Sequence, residues 1–271
     1  MSLLEKTKYL LKQNRILPSK SKGQNFLISE KVLENIIVSA NLKEGENILE
    51  IGPGIGTLTE ALLEEKVNLK VIELDKELIK VLDLLAKKND FEIIFSDVLR
   101  ANLEELLPLD FLKDYKIISN LPYNITSRFL RIILEHQYPP QEMILMLQKE
   151  VAERIINKDG KWSKLSVMCN FYSNPEYLFT VPKNSFLPEP KVESAVIKFE
   201  AKQKPEVDEN KFWQLVKIGF SSKRRTLINN LSIGLKEDKK VLKDRLGKIG
   251  LNENIRAEKL KIEDWVNLSL M

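Results

Sequence analysis

The stretch that most constrains the fold of this chain is residues 48–60, ILEIGPGIGTLTE. The apolar run 48–51 is typical of a buried parallel strand, and the periodicity that begins at Thr57 predicts a helix over 57–66. Between them stand three glycines at alternate positions, Gly52, Gly54 and Gly56. Glycine lets a chain turn sharply and lets a ligand approach the backbone, so this strand, turn and helix predict a nucleotide-sized cradle.

The glycine spacing separates this cradle from two commoner phosphate sites. The pattern is G-x-G-x-G rather than the G-x-G-x-x-G of dinucleotide folds, and no Gly-Lys-Ser/Thr follows, which excludes a P-loop. A second apolar strand over 69–73 ends in Glu73, which is placed to accept both hydroxyls of an adenosine ribose. Asp97 follows the predicted strand 92–96 and could accept the adenine amino group. These features favour S-adenosylmethionine (SAM), although a glycine-rich turn that stands alone is more often an ordinary turn.

Strands and helices alternate along most of the chain, which predicts an α/β fold with a parallel sheet covered on both faces. The predicted strands are 48–51, 69–73, 92–96, 115–119, 142–147, 176–181 and 193–199. Residues 201–209 are polar and contain a proline, so they predict a linker. Helical periodicity resumes beyond it without further strands. We therefore expect a SAM-binding domain over 1–200, with a basic N-terminal arm, and a small helical domain over 210–271.

The tetrapeptide Asn120-Leu121-Pro122-Tyr123 follows the predicted strand 115–119 and suits an aromatic amine. Adenine N6 is a poor nucleophile because its lone pair is delocalised into the ring. Neutral oxygens that accept its hydrogens favour a pyramidal nitrogen that can attack. The Asn120 side-chain oxygen and the Leu121 carbonyl could be these acceptors, Pro122 stiffens the turn, and Tyr123 offers a ring for the base. A strand-end turn of ordinary turn-forming residues explains the tetrapeptide equally well when it is considered alone.

Charge is distributed unevenly along the chain. The net charge of +4 divides into +5 over residues 1–23, −7 over the middle and +6 over residues 201–271. Basic flanks predict a polyanionic partner, and solvated helix faces explain the same charges equally well. The single cysteine, Cys169, predicts a cytoplasmic protein without disulfides, and no residue pattern predicts a metal site or a membrane span.

Several motifs occur together in one order. They are Gln24-Asn25-Phe26-Leu27, Glu50-x-Gly52-x-Gly54-x-Gly56, Glu73, Asp97, Asn120-Leu121-Pro122-Tyr123 and Phe186-x-Pro188-x-Pro190-x-Val192-x-Ser194. In this order the chain closely resembles the rRNA adenine N6,N6-dimethyltransferase family, essentially from end to end. The segments 222–227 and 256–260 are similar to those of the bacterial enzymes that act on small-subunit (16S) rRNA. The macrolide-resistance methyltransferases of large-subunit rRNA share the first domain but usually lack this tail.

The resemblance implies a Rossmann-like, SAM-dependent methyltransferase domain with a seven-stranded, mostly parallel sheet, followed by a small all-helical C-terminal domain. It implies dimethylation of two adjacent adenosines in the hairpin near the 3′ end of 16S rRNA, with a role in ribosome biogenesis and without a metal. The residues expected to bind SAM are Asn25, Leu27, Gly52, Gly54, Glu73, Asp97 and Asn120. Those expected to act on the adenine are Asn120, Leu121, Pro122, Tyr123 and Phe186. Of these, Tyr123 and Phe186 would sandwich the flipped base.

The expected partner is an assembly intermediate of the small ribosomal subunit, bound by a cytoplasmic monomer. The residues expected to hold RNA phosphates are Lys20, Lys22, Lys223, Arg224 and Arg225. Two other functions remain open at this point. One is adenine methylation of another target, above all large-subunit rRNA, and the other is an RNA-docking assembly factor whose methylation is incidental.

Overall fold

The computed structural model describes residues 1–19 and 23–271. Their strands are β1 (Phe26–Leu27), β2 (Asn47–Ile51), β3 (Asn68–Glu73), β4 (Glu92–Phe95), β5 (Lys116–Asn120), β6 (Glu142–Gln148), β7 (Ser173–Val181), β8 (Phe186–Leu187) and β9 (Ser194–Ala201). Their helices are α1 (Leu3–Gln13), α2 (Glu30–Ala40), α3 (Thr57–Glu64), α4 (Lys76–Ala86), α5 (Leu103–Leu106), α6 (Leu109–Leu112), α7 (Thr126–Leu134), α8 (Lys149–Ile155), α9 (Lys164–Tyr172), α10 (Glu209–Gly219), α11 (Leu227–Leu235), α12 (Lys239–Lys248) and α13 (Ile262–Ser269). None of these helices has the length and apolar character that crossing a lipid bilayer requires.

Within the described residues, seven strands form one sheet in the order β4-β3-β2-β5-β6-β9-β7. The pairs β2–β3, β3–β4, β2–β5 and β5–β6 are parallel, and β9 runs antiparallel to β6. Ile48, Leu49 and Ile51 of β2 are at most 2% exposed, as expected for a central strand covered on both faces. The predicted α/β fold with a mostly parallel, seven-stranded sheet is confirmed.

The strand order explains where a ligand would bind. From β2 the chain builds outward through β3 and β4, and it then returns to place β5 and β6 on the other side of β2. The register pairs Leu49 with Ile117, so Gly52 and Asn120, each three residues further on, leave the same edge of the sheet. Ligands of open α/β sheets bind at this kind of switch point, outside the carboxyl ends of the strands.

The two shortest strands, β1 and β8, were not predicted from the sequence. β1 and β8 form a two-stranded antiparallel ribbon that pairs Phe26 with Leu187 and Leu27 with Phe186. Two-residue strands show no periodicity in the sequence, so no pattern could predict them. Ser29 caps the start of α2, since its hydroxyl accepts a hydrogen bond from Val32 N.

The packing divides the chain into two compact units. One comprises Met1–Ala152 with Glu176–Ala201, and the other comprises Glu153–Pro175 with Lys202–Met271. The sequence predicted that residues 153–175 belong to the first domain, but in the structure they pack in the second unit. Val167 and Phe171 of α9 lie in the apolar core of the helical unit. The apolar run in α9 indicates that the helix is buried but carries no information about which core buries it. The predicted domain bounds otherwise stay a prediction.

Candidate active site

A cavity of about 320 Å³ opens at the carboxyl ends of β2 to β5, within the first compact unit. This volume falls in the range of small-molecule sites. Most of its wall comes from residues 23–27, 50–55, 72–75, 96–98 and 120–125. All seven residues predicted to bind SAM line this cavity: Asn25, Leu27, Gly52, Gly54, Glu73, Asp97 and Asn120. Segments far apart in the sequence thus meet at one site, and their individual roles stay predictions.

The glycine turn after β2 needs glycine for two reasons. Gly52, Gly54 and Gly56 have φ values of 65°, 64° and 86°, a region that side chains disfavour. A Cβ on Gly54 would also lie 3.3 Å from the ring of Phe26. Gly52 and Gly54 line the cavity, so a ligand there can contact the backbone of this turn.

Glu73, at the end of β3, is held by backbone donors. One carboxylate oxygen accepts hydrogen bonds from Leu74 N and Asp75 N at 2.8 Å each, and the other accepts from Gly54 N at 3.3 Å. Burial raises the pKa of Glu73, and the backbone hydrogen bonds act in the opposite direction. These three bonds leave acceptor capacity on a carboxylate, as a ribose diol would require.

Glu50 is a further acid of this cavity wall, and its place in the glycine motif predicted no role for it. Its side chain is 1% exposed and accepts a hydrogen bond from Thr59 Oγ1 at 2.7 Å. Burial raises the pKa of Glu50 to about 8, the Thr59 hydrogen bond opposes the shift, and the charge of Glu73 adds to it. The signal in the sequence was a carboxylate inside an otherwise apolar strand.

The turn after β5 is fixed by polar contacts. Ser119 Oγ donates to Ile51 O at 2.6 Å, which ties the end of β5 to the end of β2. The Asn120 side-chain nitrogen donates to Asn25 O at 3.2 Å. This bond fixes which end of the amide faces Asn25, and Oδ1, the only acceptor of the side chain, is the atom that could accept a hydrogen bond from an amine.

Tyr123 lines the cavity, and its hydroxyl forms a hydrogen bond with the buried Ser194 Oγ. Burial raises the pKa of Tyr123, and the Ser194 contact opposes the shift. Ser194 is the last residue of the Phe186-to-Ser194 motif, and this contact gives it a structural role. The ring of Tyr123 is thereby anchored at its hydroxyl end.

Two predicted residues have surroundings that sequence analysis did not anticipate. Phe186 lies outside the residues that line the cavity and is 2% exposed, so the structure does not bring its ring to the site. It lies in β8, beside Leu27, in the core cluster that contains Val32 and Ile36. Asp97 lines the cavity, and its carboxylate accepts a hydrogen bond from Leu99 N at 3.0 Å.

The predicted RNA-binding residues fall in two parts of the chain. Lys20 and Lys22 lie outside the described residues. Lys223, Arg224 and Arg225 are exposed in the turn between α10 and α11. The Asn230 side-chain nitrogen donates to Gly219 O at 2.6 Å and to Ser222 O at 3.0 Å. Asn230, which sequence analysis missed, therefore holds this basic turn against the start of α11.

Gln24 and Asp75 also belong to the cavity wall and were given no role from the sequence. Gln24 Nε2 donates to Asp75 Oδ2 at 2.8 Å, and Gln24 Oε1 accepts from Ser19 N at 2.8 Å. This bridge fixes the segment that carries Asn25. In the part of the chain that the structure describes, no group of His, Cys, Asp and Glu side chains is arranged to hold a metal ion.

Comparison with known proteins identifies the family. A family model described as ribosomal RNA adenine dimethylase matches residues 18–271. The chain belongs to this family. This confirms the family expected from the sequence motifs, that of the SAM-dependent rRNA adenine dimethyltransferases.

Relatives and solved structures agree with this family. The ribosomal RNA small subunit methyltransferase A of Alkaliphilus oremlandii is 40% identical to this chain over 269 residues, covering 96% of this chain and 94% of that protein. A dimethyladenosine transferase from Plasmodium falciparum has a TM-score of 0.75 and 25% identity, covering 90% of this chain and 96% of that chain. The 23S rRNA methyltransferase ErmE has a TM-score of 0.72 and 24% identity, covering 91% and 98% respectively, and this likeness supports the fold alone.

Proposed function

We propose that this dimethyltransferase modifies N6 of two adjacent adenosines in the hairpin near the 3′ end of 16S rRNA, in a small ribosomal subunit under assembly. The observation that carries the proposal is that the glycine turn and the residues Asn120–Tyr123 line one cavity. The cavity thus joins a place for an adenosine cofactor to a place for an aromatic amine. The 40% identity to a small-subunit methyltransferase over 96% of this chain supports the choice of target.

The residues that line the cavity suit SAM in their chemistry. The glycine turn exposes backbone to the ligand, and Glu73 offers carboxylate oxygens for the ribose hydroxyls. Asp97 would accept the adenine amino group of the cofactor, and Asn25 and Leu27 would cover it. When bound, SAM supplies a methyl group already activated on a sulfonium, so we propose that the chemistry needs no metal ion.

The substrate adenine would be recognised at the turn after β5. Asn120 Oδ1 and the Leu121 carbonyl would accept hydrogens of the N6 amine, which localises its lone pair. Pro122 keeps the turn stiff, and Tyr123, anchored by Ser194, presents its ring to the base. Positioning supplies most of the acceleration in such an in-line displacement, so a fixed turn suits the reaction.

Phe186 would complete the stack on the other face of the flipped base. Its ring is 2% exposed, so this role requires the ribbon of β1 and β8 to move when RNA binds. Lys223, Arg224 and Arg225 would hold RNA phosphates, as would Lys20 and Lys22. We also propose that the protein acts in the cytoplasm as a monomer.

The proposal is tested with substitutions at Tyr123. Replacing Tyr123 with Ala removes the stacking ring, so we expect methyl transfer to unmodified small subunits to fall at least tenfold while SAM affinity changes little. Tyr123→Phe is the matched control, because it keeps the ring and loses only the Ser194 contact, and it should retain most of the activity. A collapse of SAM affinity in Tyr123→Ala, measured by calorimetry, would contradict the stacking role.

A further inference from the structure

Another concave surface of the first compact unit lies between α1 and β8, and the proposed active site does not include it. Its floor is apolar and consists of Leu11, Ile16, Leu17, Pro18, Leu187 and Pro188. Its rim consists of three cations, Lys8, Lys12 and Arg15. We call this surface the α1 groove. It combines an apolar floor with positive charge along one side.

The turn after α1 holds the groove open. Asn14 Nδ2 donates to Leu10 O at 2.9 Å, and Ile16 N donates to Leu11 O at 2.9 Å. Leu11 and Ile16 also pack in a core cluster that includes Phe26. The next residue, Leu17, is consequently held at the surface, where its side chain is 88% exposed. Leu17 therefore adds an exposed apolar side chain to the floor of the groove.

The rim cations lack compensating carboxylates. Among residues 1–19 and 23–271, no Asp or Glu lies within ion-pair distance of Lys8, Lys12 or Arg15, whereas Lys6 on the same helix pairs with Glu60. Lys8 and Lys12 stand one helical turn apart, and like charges at that spacing destabilise a helix. An anionic ligand would neutralise this repulsion, so the rim suits a polyanion.

The groove adjoins the proposed active site through the ribbon of β1 and β8. Leu187 lines the groove and pairs with Phe26, which lines the cofactor cavity. Leu27 lines the same cavity and pairs with Phe186. One two-stranded ribbon therefore contributes to both surfaces. The groove and the cavity therefore share the wall that this ribbon forms.

We propose that the α1 groove binds an unpaired segment of the RNA substrate next to the target adenosines. The inference rests on the proposed function, since it assumes that the adenosines enter the neighbouring cavity. Lys8, Lys12 and Arg15 contact phosphates, and the aliphatic floor makes apolar contacts with the faces of unstacked bases. A duplex would not use this floor, because its bases are stacked inward and it presents phosphate and sugar.

The test compares two RNA hairpins that carry adjacent adenosines in the loop, one with an unpaired 3′ extension and one without it. Affinities are measured by fluorescence anisotropy over a series of KCl concentrations. The triple variant Lys8→Gln/Lys12→Gln/Arg15→Gln loses three phosphate contacts, each worth about 0.7 in the slope of log affinity against log salt concentration. For the extended RNA, the magnitude of this slope should therefore fall by about 2. Leu17→Ser should weaken binding of the extended RNA several-fold and leave the slope unchanged.

Matched controls come from α2. Lys31 and Val38 are exposed and lie outside the groove, so Lys31→Gln and Val38→Ser should bind both RNAs like the wild type. The hairpin without the extension should bind all variants alike. Equal losses for both RNAs would indicate diffuse attraction and overturn the inference, as would affinities and slopes that match the wild type.

Two further readouts separate this inference from the proposed function. If the wild-type protein fails to methylate small subunits, the proposed function fails. If it methylates them and the groove variants bind extended RNA normally, only the groove inference fails. Normal RNA binding with weaker binding to intact small subunits would assign the groove to a ribosomal protein, and this result would also overturn the inference.

Discussion

Replacing Gly54 with Ala tests how the glycine turn supports the cofactor site. Gly54 has a φ of 64°, where a Cβ costs about 1–2 kcal/mol. The new Cβ would lie 3.3 Å from the Phe26 ring, so the ring would have to shift by a few tenths of an ångström. A backbone rotation that relieved the strain would instead weaken the bond from Gly54 N to Glu73. Either response changes the wall of the cavity.

The expected effects follow from these two contacts. A Glu73 carboxylate released from Gly54 must be ordered again before it can accept the ribose hydroxyls, so part of a hydrogen bond worth about 1.5–3 kcal/mol is lost from binding and SAM affinity should fall several-fold. The backbone strain alone should lower the melting temperature by about 2–8 °C. Calorimetry with SAM and a thermal melt without ligand measure the two effects separately.

Gly45→Ala is the matched control for Gly54→Ala. Gly45 has a φ of 80°, and a Cβ there would meet no atom within 4 Å. Gly45→Ala should therefore lose similar stability and keep its SAM affinity. The reasoning is refuted if Gly54→Ala binds SAM like the wild type, or if Gly45→Ala loses the same affinity, since the effect would then be one of global stability.

Two further predictions concern buried polar groups. Burial raises the pKa of Glu50 from 4.5 to about 8. Between these two pH values the folded protein keeps a proton on Glu50 that the unfolded protein releases. This group therefore makes the free energy of unfolding fall as pH rises through that range. Glu50→Gln should flatten the pH dependence of the melting temperature between about pH 5 and 8, and an unchanged slope would show that Glu50 ionises normally. Asn230→Ala removes two hydrogen bonds from the turn that carries Lys223–Arg225, so it should cost about 1–3 kcal/mol of stability and weaken RNA binding several-fold, with SAM affinity unchanged. Asn229→Ala is its control, and equal RNA losses in both variants would contradict a specific role for Asn230.

The parts of the site that could be predicted from the sequence lie at strand ends. A parallel sheet brings the carboxyl ends of its strands to one edge, so Gly52, Glu73 and Asn120 could be expected to meet once their strands were recognised. The chemistry of each residue was local and readable: a glycine turn, a carboxylate and an amide. Alternation of strands and helices predicted a parallel sheet, whereas the seven-stranded, mostly parallel form followed from the family resemblance, and β9 runs antiparallel to β6.

What could not be predicted depends on contacts between distant residues. The hydrogen bond between Tyr123 and Ser194 joins residues 71 positions apart, and the pairing of Leu27 with Phe186 creates strands too short to show periodicity. The burial of Phe186 follows from that pairing. Tertiary packing decides which core receives Phe171, and the apolar run of α9 does not encode that choice.

The most direct test of the central claim is to map where the protein places methyl groups. Separated small and large ribosomal subunits that lack the modification are incubated with the protein and radiolabelled SAM, and labelled adenosines are located by mass spectrometry. The account predicts dimethyladenosine at two adjacent positions near the 3′ end of small-subunit rRNA. Label confined to large-subunit rRNA would contradict the proposed target, and tight RNA and SAM binding without label would indicate a docking factor instead.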